Sequence, residues 1–539
     1  MNQAADPAQP DLTILQRQND ELRVLVDVLQ QRNRELEETI AALKGELDAQ
    51  KNLPEKPKLK ASKLNRSDPK AKGFGPRAGS AKRSKKATFE VDEERKIEPP
   101  DLPEDARLHQ YRPYDVQELS IERRNIRFLL GEYELSDGQR VRAALPPEYQ
   151  QTGHYGPTLV SYILYEYYQN RVSQPLIREH LQEWGIDISV GHINQLLTEG
   201  HERFEAEQDT VLRVGLEQSD YIHTDDTGAR HQGKNGYTTV IGNDWFTYFQ
   251  SSDSKSRENF LHILQGGHPV YVLNEESRQY LEGYALGQNN WQALTFSDTV
   301  LATDETQWQQ QLEALGITTP RAVKWVTEAA LLGGLMTQGL SASLMLLSDG
   351  APQFRLFTHA LCWIHAERTL RKLPGSTAEF RANIETTQTQ LWEYYQALKA
   401  YQRHPTETEK AHLWQRFDVI FGHIYPHHAS LNLALASFMQ HKEQLLRVLD
   451  FPDLPLHNNA AETDIREFVT RRKISGGTRS DLGRRARDTF IGIKKTCRKL
   501  GISFWRYLCS RFREDATVAP LPEIMVQRIL DQKATSIPT

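Results

Sequence analysis

Three carboxylates in widely separated stretches are the residues of this chain that could do chemistry together. Asp225 stands in YIHTDDTGAR and Asp349 in LMLLSDGAPQF, each at the end of a short apolar run that reads as a buried strand. Glu462 stands in LHNNAAETDIREFVTRRKISGGTRS, residues 456–480, where a helix begins that goes on to Arg466, Arg471, Arg472 and Lys473. Ionised carboxylates are acceptor-only oxygens suited to hard divalent ions such as Mg2+. Two such ions can activate an attacking oxygen and stabilise a leaving one in phosphodiester displacement. Neighbouring side chains on a strand point to opposite faces, so of Asp225 and Asp226 one is expected at the site, and we take Asp225. The last stretch also has a plainer reading on its own, with Asn459 as a helix N-cap and Glu462 as its reciprocal partner ahead of a solvated basic face.

The elements around these residues read as α/β. SDYIHTDD is a strand, YTTVIGN and WFTYFQSS are two more joined by Asp244, and SRENFLHIL begins a helix. A hairpin beside a strand with a terminal Asp is how a ribonuclease-H-like sheet opens. Residues 265–340 follow no such order and read as an insertion within a core spanning 215–375. Then come the strand SLMLLSDG, a helix, the strand HALCWI and the helix AERTLRKL. Residues 376–450 are a helical insertion, broken at His404–Pro405 and Tyr425–Pro426. The core closes over 451–515, and 516–539 is a tail. Upstream, 100–155 gives only a weak strand pair around IRFLLGEYEL and QRVRAAL. Over 156–205 the pattern is helical and helix-turn-helix-like: a helix to Trp184, a turn at Gly185, and a helix capped near Ser189. It reads either as a plain core pair or as a DNA-end reader.

Leu15, Leu22, Leu29, Leu36 and Leu43 recur every seven residues, with Leu12, Asn19, Val26, Asn33, Ile40 and Leu47 at the complementary position. That is a leucine-zipper seam over residues 10–48, and Asn at position a favours a two-stranded parallel homodimer over a lone amphipathic helix. Residues 49–99 form a basic linker; its 51–88 portion carries 13 Lys and Arg against two acids and too little apolar surface to offset ordering. A second basic block, 457–513, carries 15 against five in a chain of net charge −5. Two such blocks point to a polyanion partner. The linker follows the zipper, whereas a zipper transcription factor has its basic helix before it. Three scattered cysteines give no disulfide framework and suit a reducing compartment. No apolar run reaches membrane-spanning length, so the expectation is a cytoplasmic, nucleoid-associated protein without a membrane partner.

Taken together, IHTDDT, SDG followed by CWIHAER, and NNAAETDIR followed by RRKISGG and TRS resemble the insertion-sequence-66 family of DDE transposases. The likeness covers most of residues 10–510. It implies a ribonuclease-H-like core with Asp225, Asp349 and Glu462 as catalytic triad and ligands of two Mg2+ ions, for which Mn2+ can substitute. It implies Mg2+-dependent cleavage at element ends and strand transfer into target DNA, with accessory transposition proteins as further partners. Arg466, Arg471, Arg472, Lys473 and Arg479 are expected to contact DNA. Asp226, Cys362, His365, Asn458 and Asn459 are expected to support the ligands. Cys362 and His365 alone are too few for a zinc site. The chain departs from the family pattern in two places. Residues 89–155 lack the cysteines of the usual zinc-binding segment, leaving 100–155 a degenerate version of it, and 265–340 lengthens the span between the aspartates. The rival readings are a transposase-derived DNA-binding protein without catalysis and a ribonuclease-H-like nuclease or resolvase.

Overall fold

The computed structural model describes residues 26, 30–32, 35, 38–39, 91–101, 103, 106–150, 153–341 and 343–535. The chain divides into two units, Met1–Ser120 and Ile121–Thr539. In the first, the described residues before 40 are helical; Val26, a seam position, is among them and exposed, and the rest of the expected zipper seam lies outside the described residues, as does most of the basic linker. Residues 106–120 have no regular secondary structure.

The second unit opens with a hairpin of β1 (Glu132–Glu134) and β2 (Arg140–Arg142), at the expected strand pair. A four-residue helical turn, Pro147–Gln150, and four longer helices follow: α1 (Pro157–Tyr168), α2 (Gln174–Glu183), α3 (Val190–Thr198) and α4 (Glu202–Gln218). Between α2 and α3 the chain turns at Gly185 (φ +71°), and Ser189 caps α3 by accepting the His192 N–H at 3.1 Å. Ile177, Leu181, Ile188, Ile193 and Leu197 are buried in this region.

Alternating apolar residues then build a meander of β3 (Tyr221–His231), β4 (Lys234–Gly242) and β5 (Thr247–Ser252). β3 runs well past Asp225, further than its apolar stretch suggests, because β4 pairs with it antiparallel all the way to His231↔Lys234. Gln232 and Gly233, both at positive φ, close that hairpin with the twist a two-residue turn requires. α5 (Arg257–Leu264) follows, its N-terminus capped by Ser256.

The segment 265–340, whose order the sequence pattern leaves untraced, has regular elements. It holds β6 (Tyr271–Val272), α6 (Glu275–Glu282), α7 (Gln288–Ala293), β7 (Val300–Ala302), α8 (Glu305–Ala314) and α9 (Pro320–Thr337). Short strands and weak periodicity hide it from a pattern search. α9 approaches so closely that a Cβ on Gly334 would lie 1.8 Å from the Val270 carbonyl oxygen.

β8 (Met345–Ser348) and β9 (Thr358–Leu361) complete a five-stranded sheet in the order β5-β4-β3-β8-β9, with β3, β8 and β9 parallel. The helix expected between β8 and β9 is a single 3-10 turn, Pro352–Phe354. β9 also stops short of the expected HALCWI strand: Cys362 caps the next helix, α10 (Trp363–Arg371). α11 (Ala378–Arg403), α12 (Glu407–Phe421) and α13 (Ala429–Gln440) form the helical insertion, with breaks at the two proline sites and a core of its own around Trp363, Tyr394, Phe417 and Phe421. The chain returns through α14 (Asn459–Ser475), α15 (Asp481–Lys499), α16 (Phe504–Arg513) and α17 (Leu521–Thr535). The whole is a mixed α/β protein. α15 covers the β5 edge, where Thr496 and Asp488 satisfy the backbone N–H groups of Thr247 and Ser251.

Candidate active site

The parallel ladder between β3 and β8 pairs Tyr221↔Met345, Ile222↔Leu346 and His223↔Leu347. Two residues further along each chain stand Asp225 and Asp349, where the two strands cease to pair. Asp225 lies in one cross-strand row with Val240 and Phe249, and residues opposite one another share a face. Phe249 packs against Phe468 of α14 with ring centroids 4.6 Å apart, which puts that helix over the Asp225 face. Glu462 is in the first turn of α14. Asp226, one residue on, belongs to the other face; it accepts from Gln353 Nε2 at 2.7 Å and lies 3.7 Å from Lys255 Nζ. The two neighbouring aspartates therefore lie on opposite faces of the sheet.

Gly350 makes the turn after Asp349. Its φ is +93°, and a Cβ there would lie 2.8 Å from Leu361, so SDG needs its glycine. Asp349 Oδ1 accepts the Ala351 N–H at 3.0 Å, and Ser348 Oγ, bonded to His359 Nε2 at 2.8 Å, holds the strand end.

The electrostatics separate the carboxylates. Burial, with repulsion from Asp349, Asp226 and Glu462, pushes Asp225 up to about 7, although the Asp226 N–H donated to it acts the other way. Glu462 goes the opposite way. Burial would raise it, but Arg368 holds it below the usual carboxylate range, helped by His365 and Arg466. Arg368 grips Glu462 with two parallel bonds of 2.7 and 3.0 Å, and His365 Nε2 is 3.7 Å away.

Sequence reasoning missed Arg368, although it lies in the CWIHAER motif three residues after His365, one helical turn on. The same motif fixes the chain that leads into α14. Cys362 Sγ accepts the Asn458 N–H at 3.2 Å, and Trp363 N–H donates to Leu456 O at 3.0 Å. Asn458 is fully buried and donates Nδ2–H to Thr224 O at 2.8 Å, next to Asp225. The capping box expected at Asn459 is absent. Asn458 is the N-cap and makes no side-chain capping bond, being tied to β3, while Asn459 is exposed at the first helical position.

Further along α14, Glu467 takes a bidentate pair from Arg171 (2.9 and 2.8 Å) and an ion pair from Lys494 at 2.8 Å. Asp464 takes Lys499 at 2.7 Å and Lys495 at 3.4 Å. These buried pairs lock α14 onto α15, so the helix carrying Glu462 is held at several points. The basic residues expected on DNA divide. Arg466, Lys473 and Arg479 are exposed. Arg471 is 3% exposed, bonded to Tyr167 O at 2.6 Å and stacked 3.6 Å from the centre of the Tyr167 ring, which commits it to the core. The Arg472 guanidinium donates to Gly228 O.

As candidate ligands for a divalent cation, Asp225, Asp349 and Glu462 offer only hard oxygens, and the uncompensated burial of Asp225 is a charge deficit that such an ion would offset. Among the described residues no three His, Cys, Asp or Glu side chains converge closely enough to hold a metal, the Glu462 carboxylate being committed to Arg368. In kind, the residues fit the ion: Asp225 and Asp349 follow adjacent parallel strands where these part, and the Glu462 carboxylate is held by Arg368.

The sequence model of the IS66 transposase family matches residues 152–284 and 333–486, which include all three carboxylates. An uncharacterised protein of Sinorhizobium fredii, y4jO, is 40% identical over 321 residues, spanning 59% of this chain and the whole of that protein. None of the described helices is long and apolar enough to cross a membrane. With more than half of its length matched, this chain belongs to the IS66 family of transposases.

Proposed function

We propose that the chain is a DDE transposase that cleaves the ends of its element and joins the freed 3′-hydroxyl to target DNA. The observation that carries the reading is the register that brings Asp225 and Asp349 together under the helix bearing Glu462. The sheet order supports a ribonuclease-H-like core: an antiparallel meander followed by two parallel strands, with acids where β3 and β8 part. Asp225, Asp349 and Glu462 would hold Mg2+, or Mn2+ in its place, once Glu462 leaves Arg368. When bound, two such ions supply an activated oxygen nucleophile and neutralise the leaving oxygen. The chain's own residues do the positioning. Asn458 ties α14 to the Asp225 strand, and the α14–α15 ion pairs fix the depth of Glu462. Exposed Arg466, Lys473 and Arg479 offer phosphate contacts. Asn194 and Gln195 on the exposed side of α3 offer amides of the kind that read adenine. Residues 10–48 would pair two copies so that both ends are processed together, and 265–340, of which 285–332 lies outside the family match, would be an insertion.

The test is a reaction of the full chain with DNA carrying its element ends plus a supercoiled target. Ends joined covalently to target support the reading. Cleavage without joining favours a nuclease or resolvase, and binding without cleavage favours a DNA-binding derivative.

A further inference from the structure

Beside Asp349 lies a cleft of about 830 Å³ between α10 with the 355–361 segment and the end of α13 with the turn that follows it. Its charge is one-sided. Arg355, Arg368 and Lys372 line it together with three histidines, and Asp349 is the one carboxylate among its lining residues. Arg355 and Lys372 are exposed and pair with no carboxylate among the described residues. Two buried polar atoms of its walls, His365 Nδ1 and Gln444 Oε1, have no hydrogen-bond partner. Phe357, half-buried at the cleft, has φ +55°, a backbone conformation that a bulky side chain rarely adopts and that clusters at binding sites.

A site of this volume encloses a ligand of nucleotide size and is too small for a base-paired duplex. Unpaired cations suit phosphate, unsatisfied donors and acceptors suit a base edge, and an aromatic face suits any base. Resting on the transposase reading, we propose that the cleft seats one unpaired nucleotide of the strand carrying the scissile phosphate, with its phosphates on Arg355, Lys372 and Arg368 and its base on Phe357. Asp349 lines both this cleft and the acidic centre, which places that nucleotide next to the bond to be broken. A phosphate reaching Arg368 competes with Glu462 for the same guanidinium, so filling the cleft and freeing the third carboxylate become one event.

The test uses the full chain in EDTA with two probes that both carry iododeoxyuridine near the 3′ end: a blunt DNA duplex, and the same duplex extended by a short single-stranded 3′ tail that bears it. After irradiation, the crosslinked peptide is identified by mass spectrometry. The expected result is a crosslink at or beside Phe357 with tailed DNA only. Phe357→Asn, a residue that tolerates this φ, removes that crosslink and weakens tailed-DNA binding by about tenfold while blunt-duplex affinity is unchanged. Arg355→Ala and Lys372→Ala, at exposed positions that do not threaten folding, each lower the yield. Crosslinks confined to residues 51–88 or 466–485, or equal binding of tailed and blunt DNA by all forms, would overturn the proposal. No metal is present, so the outcome does not depend on chemistry. Crosslinks elsewhere combined with cleavage lost in Asp225→Asn remove the cleft and leave the transposase reading. A crosslink at Phe357 in a protein whose Asp225→Asn form still cleaves does the reverse.

Discussion

Replacing Asp225 with Asn should disable the centre and stabilise the protein. The Asp225 carboxyl is pushed from 3.8 up to about 7, burial being the largest cause and the neighbouring carboxylates adding to it. A shift of roughly three units, at about 1.4 kcal/mol each, comes to about 4 kcal/mol at most. The folded state binds this proton more tightly than the unfolded chain does. The group's contribution is therefore fully favourable below the unfolded value of 3.8 and is lost as pH rises through about 7. At about pH 8 the buried charge is a liability, which an uncharged side chain of the same shape removes. The amide oxygen can still accept the Asp226 N–H that Asp225 Oδ1 accepts at 2.8 Å. In thermal melts without metal, Asp225→Asn should melt several degrees above the wild type at about pH 8 and converge with it toward about pH 4. Added Mn2+ should raise the wild type and leave the variant unmoved. A variant that melts at or below the wild type at the higher pH would refute the claim that an uncompensated charge sits at this position.

Three further outcomes follow from the same geometry. Glu467→Gln strands Lys494, which is 2% exposed, and should cost about 3–5 kcal/mol in denaturant unfolding. Its partners hold Glu467 down to about 2 against burial, so the stability it lends is complete above 4.5 and lost as pH falls toward 2, and the variant should show a flatter acid limb. Arg368→Ala frees Glu462 and should lower the Mn2+ concentration needed for a given thermal shift; an unchanged or higher requirement would mean the pair does not compete with metal. Polar residues at Leu22 and Leu29 should turn the full chain from dimer to monomer in analytical ultracentrifugation at micromolar concentration, and a wild-type monomer would dispose of the zipper.

The candidate site was legible where chemistry coincided with local pattern. Asp225 and Asp349 follow apolar runs, and strand alternation alone puts Asp225 and Asp226 on opposite faces. What stayed hidden depended on contacts far apart in sequence. Arg471 looks like any other member of a basic run, and only the packing of Tyr167 against it, 304 residues away, makes it a core residue. Arg368 carries no sign that it will hold a glutamate 94 residues on. Asn459 reads as the helix cap, yet Asn458 takes that place and a tertiary bond to β3 claims its side chain. The ordered segment between α5 and β8 escaped for a different reason, since strands of two and three residues leave too short a pattern to detect.

The most direct test of the central claim is the single-turnover rate of end cleavage in Mg2+ for Asp225→Asn, Asp349→Asn and Glu462→Gln, with DNA binding measured alongside. Each variant should bind DNA like the wild type and cleave at least about a hundredfold more slowly, because losing one carboxylate misplaces the reacting oxygens. Cleavage at near wild-type rate by any one of the three would contradict the assignment of that residue to the centre.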